Sequence, residues 1–298
     1  MLSIIVCSRQ SQLASEFVEN IDKTVGVVHE IIHMDNSKNA YSIFSAYNAG
    51  LLKSKYAFLC FVHDDVLFHT QNWGAKVIAH LKPQNTGIIG LAGGDLALRV
   101  PASWSSLTPV INIIQSDRTG KKPSEKIIRP ENFDKSKHAV ILVDGVMMCM
   151  KREQMEKIKF DENFKGFHGY DFDISIQSTL AGYSNYVIYD IDVEHFSRGK
   201  TDASYYRNLI AVFRKWEKQL PLIGKSISKT QTDELIFTEK KRLERLIKKM
   251  IRKGFTTKEI VTETRYYATL IDSKDAIRNL NMRIFIIRFF NCPQYLLK

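Results

Sequence analysis

Cysteine is scarce. There are four in 298 residues, at positions 7, 60, 149 and 292, and no two stand in CxxC spacing. This excludes a disulfide framework or a zinc ribbon. The first three lie in or at the end of apolar runs and read as small core residues in a reducing compartment. Long uncharged apolar runs are also missing. None approaches the ~18–20 residues of a transmembrane helix. The opening MLSIIVCSRQ has no charge ahead of its apolar run, unlike a secretory signal. No internal repeat or low-complexity segment is present. These absences lead to the expectation of a cytoplasmic protein. With 44% hydrophobic residues, the chain is long enough for a sizeable core, as one large domain with or without an appendage.

Charge is unevenly placed. Residues 225–298 carry 17 Lys/Arg against 8 Asp/Glu, so +9 of the net +11 lies there and only +2 in residues 1–224. That asymmetry predicts two modules, 1–224 and a basic helical 225–298.

Within the first module, short apolar runs alternate with helical patterns. Strands are expected at 2–8, 25–33, 56–62 and 86–94, and helices at 11–24, 36–55 and 72–81. Such alternation means βαβ units and a mostly parallel sheet. Residues 95–138 show no period, and the polar stretch 115–137 reads as a loop. A strand broken at Asp144-Gly145 follows over 138–151. A helix starts near 169, and a strand covers 184–196. In the basic module, 239–253 places Leu243, Leu246, Ile247, Met250 and Ile251 on one helical face, Gly254 stops the helix, and TTKE at 256–259 is a capping box.

Polar groups then gather at the carboxyl ends of the strands, where open α/β sheets bind ligands. The third strand ends in His63-Asp64-Asp65. Alternation sends side chains 63 and 65 to one side and 64 to the other. A carboxylate there suits a hard divalent cation that also takes phosphate oxygens, whereas a polar turn is the plainer reading. Asp171 and Asp173 open a helix, as caps do, but two carboxylates after Gly166, His168 and Gly169 exceed what a cap needs. His195 ends a strand and heads a loop with Arg198 and Lys200. Arg9 and the segment 34–39 follow the first two strands.

In this order, strand-Ser-Arg, strand-Asp-Asn, a helix with AYNAG (46–50), HDD, a later DG, GYDFD (169–173) and EH, the chain resembles the glycosyltransferase family 2 superfamily of GT-A fold, in the branch that writes H-x-D for D-x-D. The resemblance covers about residues 1–215. It implies an α/β GT-A fold, a Rossmann-like mixed sheet flanked by helices, plus the C-terminal helical subdomain. By position, it implies that Cys7, Ser8 and Arg9 touch the nucleotide base and that Asp35 and Asn36 lie near base and ribose. Asn48, Asp64, Asp65 and Lys200 join the nucleotide-sugar site. Asp144, Gly145 and Tyr170 fall on the acceptor side, and Asp171 is the general base. Asp65, His195 and His63 are the metal ligands, for Mn²⁺ or Mg²⁺. His63 stands where the family has Asp, and Tyr170 where it has Glu. The motif of processive members is absent, so single-sugar transfer is expected, with inversion, from a UDP-, GDP- or dTDP-linked donor to a glycan or lipid-linked acceptor in cell-surface polysaccharide synthesis. A nucleotidyltransferase or phosphohydrolase on the same sheet edge, and a degenerate sugar-nucleotide-binding module, are the alternatives. For the basic quarter, a peripheral contact with the inner membrane face competes with a self-packed or homodimeric helical subdomain. No nucleic-acid reader motif is present, so nucleic acid is not an expected partner.

Overall fold

Leu2–Ser8 is a strand because its β-branched residues bury on both faces at once. Ile4 and Val6 pack with Phe17, Ile21, Trp73 and Val77, whereas Ile5 packs with Phe44, Tyr47 and Leu51. The computed structural model describes residues 1–106, 108–117, 123–130, 136–197, 199, 201–224, 227–273 and 278. These divide into two compact units. One comprises Met1–Leu96 with Trp104–Gly199, and the other Ala97–Ser103 with the described residues beyond Gly199. Against an expected junction at 224/225, this division groups the helix Ala203–Lys215 with the C-terminal residues.

In chain order the elements up to residue 199 are β1 (Leu2–Ser8), α1 (Ser15–Thr24), β2 (His29–Asp35), α2 (Ile43–Lys53), β3 (Phe58–Val62), β4 (Val66–Phe68), α3 (Trp73–Leu81), β5 (Thr86–Gly90), β6 (Ala92–Gly94), β7 (Leu96–Ala97), β8 (Pro109–Gln115), β9 (Glu125–Arg129), β10 (Lys137–Val140), β11 (Leu142–Val143), β12 (Met147–Lys151), α4 (Arg152–Ile158), α5 (Tyr170–Leu180), β13 (Ser184–Ile188) and β14 (Val193–His195). The main sheet has the order β10-β13-β5-β12-β3-β1-β2. It is mixed: β12 runs antiparallel between β3 and β5, whereas β1, β2 and β3 are parallel. Residues of α1 and α3 cover one face, and those of α2 and α5 the other. Each Leu- or Phe-sized side chain so buried contributes about 1.5–3 kcal/mol.

Several expected boundaries move. The helix expected over 36–55 starts only at Ile43, because the Ser42 hydroxyl caps it at Ser45 N (3.2 Å). Residues 36–41 instead form a turn held by the Asn36 side chain through Tyr41 N and O (2.9 and 3.0 Å). The second strand starts at His29 because Val25 still caps α1. The strand expected at 86–94 is two strands in different sheets, and a Cβ at Gly93 would meet Leu142 O at 2.2 Å, so only glycine lets β6 and β11 approach. The strand expected at 184–196 likewise divides into β13 and β14.

The segment without period contains β8 and β9, an antiparallel pair. The pattern of β8 was hidden because Asn112, a polar residue, is buried in it, donating to Ile188 O and Ile191 O (3.1 and 2.9 Å). A second sheet, β11-β6-β8-β14-β4 with β9 beside β8, results.

The remaining unit contains α6 (Ala203–Lys215), β15 (Leu222–Ile223), α7 (Lys229–Arg252) and α8 (Thr257–Leu270). Its core joins Val100, Ile210, Leu243, Leu246, Met250, Phe255, Ile260 and Tyr267. Leu243, Leu246 and Met250 of the α7 stripe are therefore covered from within this unit. The Thr256–Glu259 capping box forms as expected. Among the described residues no helix is long and apolar enough to cross a membrane.

Candidate functional site

Parallel pairing brings the carboxyl ends of β1, β2 and β3 to one edge. Ser8 pairs with Asp35 in register, and Asn36 N donates to Ser8 O (2.8 Å). Because β12 is antiparallel, its beginning reaches the same edge: Met147 pairs with Val62, and His63 N donates to Val146 O (3.1 Å). The Asp144-Gly145 turn is thereby set beside His63. The second sheet delivers the last component. His195 pairs with Val66 across β14 and β4, and Phe196 N donates to Asp65 O (3.0 Å).

His63, Asp65 and His195 form a cluster whose ligating atoms all lie within 4.8 Å of one another. Asp65 Oδ1 is 3.8 Å from His63 Nδ1 and 3.5 Å from His195 Nε2. Asp64 turns the other way and accepts a hydrogen bond from Ser8 Oγ. The alternation expected for this triplet is therefore observed. Burial alone would raise the Asp65 carboxyl, but hydrogen bonding and charge from His195, with the His63 charge and Ser197, outweigh it and hold it well below the usual range. For His63, burial dominates over the pull of Asp65 and lowers the imidazole pKa. Gln115 supports the segment from behind, donating to His195 O and Ser197 O (2.9 and 3.0 Å).

Asp171 lies in the first turn of α5 and is 9% exposed. Burial, then the charge of Asp144, pushes its carboxyl up to about 7, against backbone N–H donors that favour the anion. Asp144 is fixed by two bonds: Val146 N donates to Oδ1 (3.0 Å) and Trp104 Nε1 to Oδ2 (2.8 Å). Tyr170 is buried, and its hydroxyl lies 3.0 Å from His63 Nε2 and donates to Gly145 O (3.1 Å). A Cβ at Gly145 would come within 2.0 Å of that hydroxyl, so the turn tolerates only glycine.

Other expected residues are less central. Cys7 is half-buried, and burial pushes its thiol up to about 11. Arg9 is exposed. Asp35 accepts from Ser37 N (2.9 Å), a bond that lowers its pKa. Asn48 does not join the cluster. Its amide donates to Phe160 O and Glu162 Oε1 (both 2.8 Å) and accepts from Phe160 N (3.1 Å), which ties α2 to segment 160–162. Asp173 is buried and bonded by Gln177 (2.8 Å). Arg198, Lys200 and Cys292 lie outside the described residues. Sequence reasoning missed Trp104, a lone aromatic in a segment without period. It also missed the Tyr170–His63 contact, which joins residues 107 apart.

A family profile described as "Glycosyltransferase like family" matches residues 3–214. The streptomycin biosynthesis protein StrF of Streptomyces griseus is 25% identical over 169 residues, 55% of this chain and 56% of StrF. The chain thus spans about half the length of that curated relative. The crystal structure of GalNAc-T7 with UDP, GalNAc and Mn²⁺ matches with a TM-score of 0.49 and 15% identity, covering 90% of this chain and 57% of that one. A197 from STIV matches with a TM-score of 0.39 and 17% identity over 66% of this chain and 85% of A197.

Proposed function

Because the chain belongs to this glycosyltransferase-like family, we propose that it moves one sugar from a nucleotide-diphosphate sugar to a hydroxyl of a glycan or lipid-linked acceptor, with inversion, using the GT-A layout. The observation that carries this reading is a division of labour between two carboxylates on one sheet edge. Asp65 is kept ionised among imidazoles, and Asp171 is buried and poised near neutrality. Environments that push two acids apart in this way assign them different roles.

Asp171 is the general base. A carboxylate with a pKa near 7 is basic enough to take the acceptor proton and still reaches its anionic form near neutral pH. Asp144 keeps it basic, and Trp104 keeps Asp144 in place. Ser8, Asp35, Asn36 and Asp64 receive the nucleoside, since they meet where β1 and β2 end.

His63, Asp65 and His195 fit a divalent cation. Three donor atoms within 4.8 Å present two imidazole nitrogens and one carboxylate. This mixed set suits Mn²⁺ better than Mg²⁺, which prefers oxygen alone. When bound, the cation would stabilise the charge developing on the departing diphosphate.

The test is a thermal-shift panel of UDP, GDP, CDP and dTDP and their sugars, with and without Mn²⁺. A ligand that binds only the folded chain raises its midpoint by mass action. The expected result is a shift with one nucleotide, enlarged by Mn²⁺, with nucleoside diphosphate as the product. No shift with any nucleotide sinks the reading. Release of pyrophosphate or phosphate would instead mean transfer or hydrolysis at phosphorus.

A further inference from the structure

The two departures from the family pattern, His63 and Tyr170, touch each other. Their geometry leaves little freedom in where one proton sits. The Tyr170 hydroxyl has a single proton; His63 Nε2 lies at 3.0 Å and Gly145 O at 3.1 Å, with the Tyr47 side chain as a further hydrogen-bonding neighbour. A carbonyl oxygen only accepts, so both contacts are hydrogen bonds at once only if the hydroxyl donates to Gly145 O and accepts from His63 Nε2–H. In a neutral ring whose proton is on Nε2, Nδ1 has a bare lone pair. The opposite side of the ring agrees. His63 Nδ1 and Asp65 Oδ1 are 3.8 Å apart, too far for the hydrogen bond that an Nδ1–H would make. Two acceptors face each other without a proton between them, as they would around a cation.

Tyr170 is also a rigid support. Its ring is 4% exposed and meets Phe44 and Tyr47 edge-on, with centroids 6.3 and 5.6 Å away and planes at 84° and 75°. Phe167 flanks His63 at 5.8 Å. The Gly145 carbonyl is held by the turn that leads into β12, where a Cβ would meet the hydroxyl.

We propose that Tyr170 is a positioning residue: its hydroxyl, held between the Gly145 carbonyl and His63 Nε2, locks His63 in the tautomer that turns Nδ1 toward Asp65 and His195. Tyr170 and His63 form one unit, in which a phenol performs the orienting work that an imidazole ligand needs and a carboxylate ligand does not. Partners of this kind typically change metal affinity 10–100-fold. The proposal rests on the reading that His63, Asp65 and His195 hold a cation.

The experiment has two readouts. In metal-free protein labelled with ¹⁵N-histidine, long-range ¹H–¹⁵N correlation reports the tautomer of His63, assigned by its loss in His63→Ala. The wild type is expected to carry the proton on Nε2. Separately, Mn²⁺ titrations followed by electron paramagnetic resonance give the affinity of the wild type, Tyr170→Phe, His63→Asp and the double variant. Tyr170→Phe is expected to weaken Mn²⁺ about tenfold or more, and to have no effect in the His63→Asp background, where no tautomer exists. Protonation on Nδ1 in the wild type overturns the proposal without any variant. So does equal Mn²⁺ affinity in the wild type and Tyr170→Phe, or an equal loss in both backgrounds. Failure of the wild type to bind Mn²⁺ at all sinks the cation reading itself, and the proposal with it.

Discussion

Two polar clusters lie in the same unit, and they differ in kind. Around Asn185 every bond is made. Its amide nitrogen donates to Ile141 O, Ser175 O and Thr179 Oγ1, and its oxygen accepts from Ile88 N and Ser178 Oγ, all within 2.7–3.2 Å. No charge is involved, and the cluster ties β13, β5, α5 and the start of β11 together. At the sheet edge the opposite holds. Asp171 is buried near Asp144, and Asp65 Oδ1 stands 3.8 Å from His63 Nδ1. The first cluster is satisfied by the fold alone. The second brings ionisable groups together, Asp171 beside Asp144 and Asp65 beside two imidazoles, so that their charges depend on one another. A fully bonded polar core specifies structure, and a cluster of ionisable groups with perturbed pKa values marks a candidate site.

The largest test of this contrast is Asp171→Asn. Loss of a general base is expected to reduce kcat/KM about 10²–10⁴-fold in a transfer assay. The same substitution is expected to stabilise the fold. Because its pKa is raised, the neutral acid suits the buried site and the anion is penalised. Stability is therefore greatest below the ordinary carboxylate range of ~3.9 and is lost as pH rises through about 7. Relative to wild type, Asp171→Asn should gain on the order of 2–4 kcal/mol at pH 8 and almost nothing near pH 3, measured by denaturant unfolding at each pH. In the wild type, the acidic limb of kcat/KM should have a midpoint near 7.

Asp65→Ala comes next. It should abolish the Mn²⁺-dependent part of the nucleotide thermal shift, whose total is about 2.7 kcal/mol at a ligand concentration of 100 Kd. A Mn²⁺ enhancement that survives in this variant would remove Asp65 from the cation site. Asn185→Ala should cost about 1–3 kcal/mol, since its partners are left buried and unpaired, with the nucleotide shift unchanged. A loss of binding there would erase the distinction between the two clusters. The smallest effect is expected for Asn48→Ala. Freeing segment 160–162 should cost about 0.5–1.5 kcal/mol and leave nucleotide binding intact, as read from paired melting curves.

Much of the first module was legible because it depends on short-range pattern. The apolar runs of β1 and β3, the Thr256 capping box and the start of α5 follow from residues close in sequence. The polar strand tips were legible for the same reason, and alternation placed His63 and Asp65 on one side of Asp64. The bonds of Asn48 were not legible because its position in AYNAG says nothing of Phe160, 112 residues away, which takes both ends of its amide. β8 was overlooked because its buried Asn112 finds partners only after β13 and β14 have folded beside it.

The sequence by itself determined the alternating α/β frame, the basic C-terminal helices and the residue types at the strand ends, because periodicity and turn chemistry act over a few residues. Only the tertiary structure decided which of those residues work together. The antiparallel insertion of β12 brings Gly145 and Asp144 to His63, and the pairing of β14 with β4 brings His195 to Asp65. Proton positions and carboxylate basicity at the site follow from those juxtapositions, since burial and neighbouring charge exist only once distant segments meet.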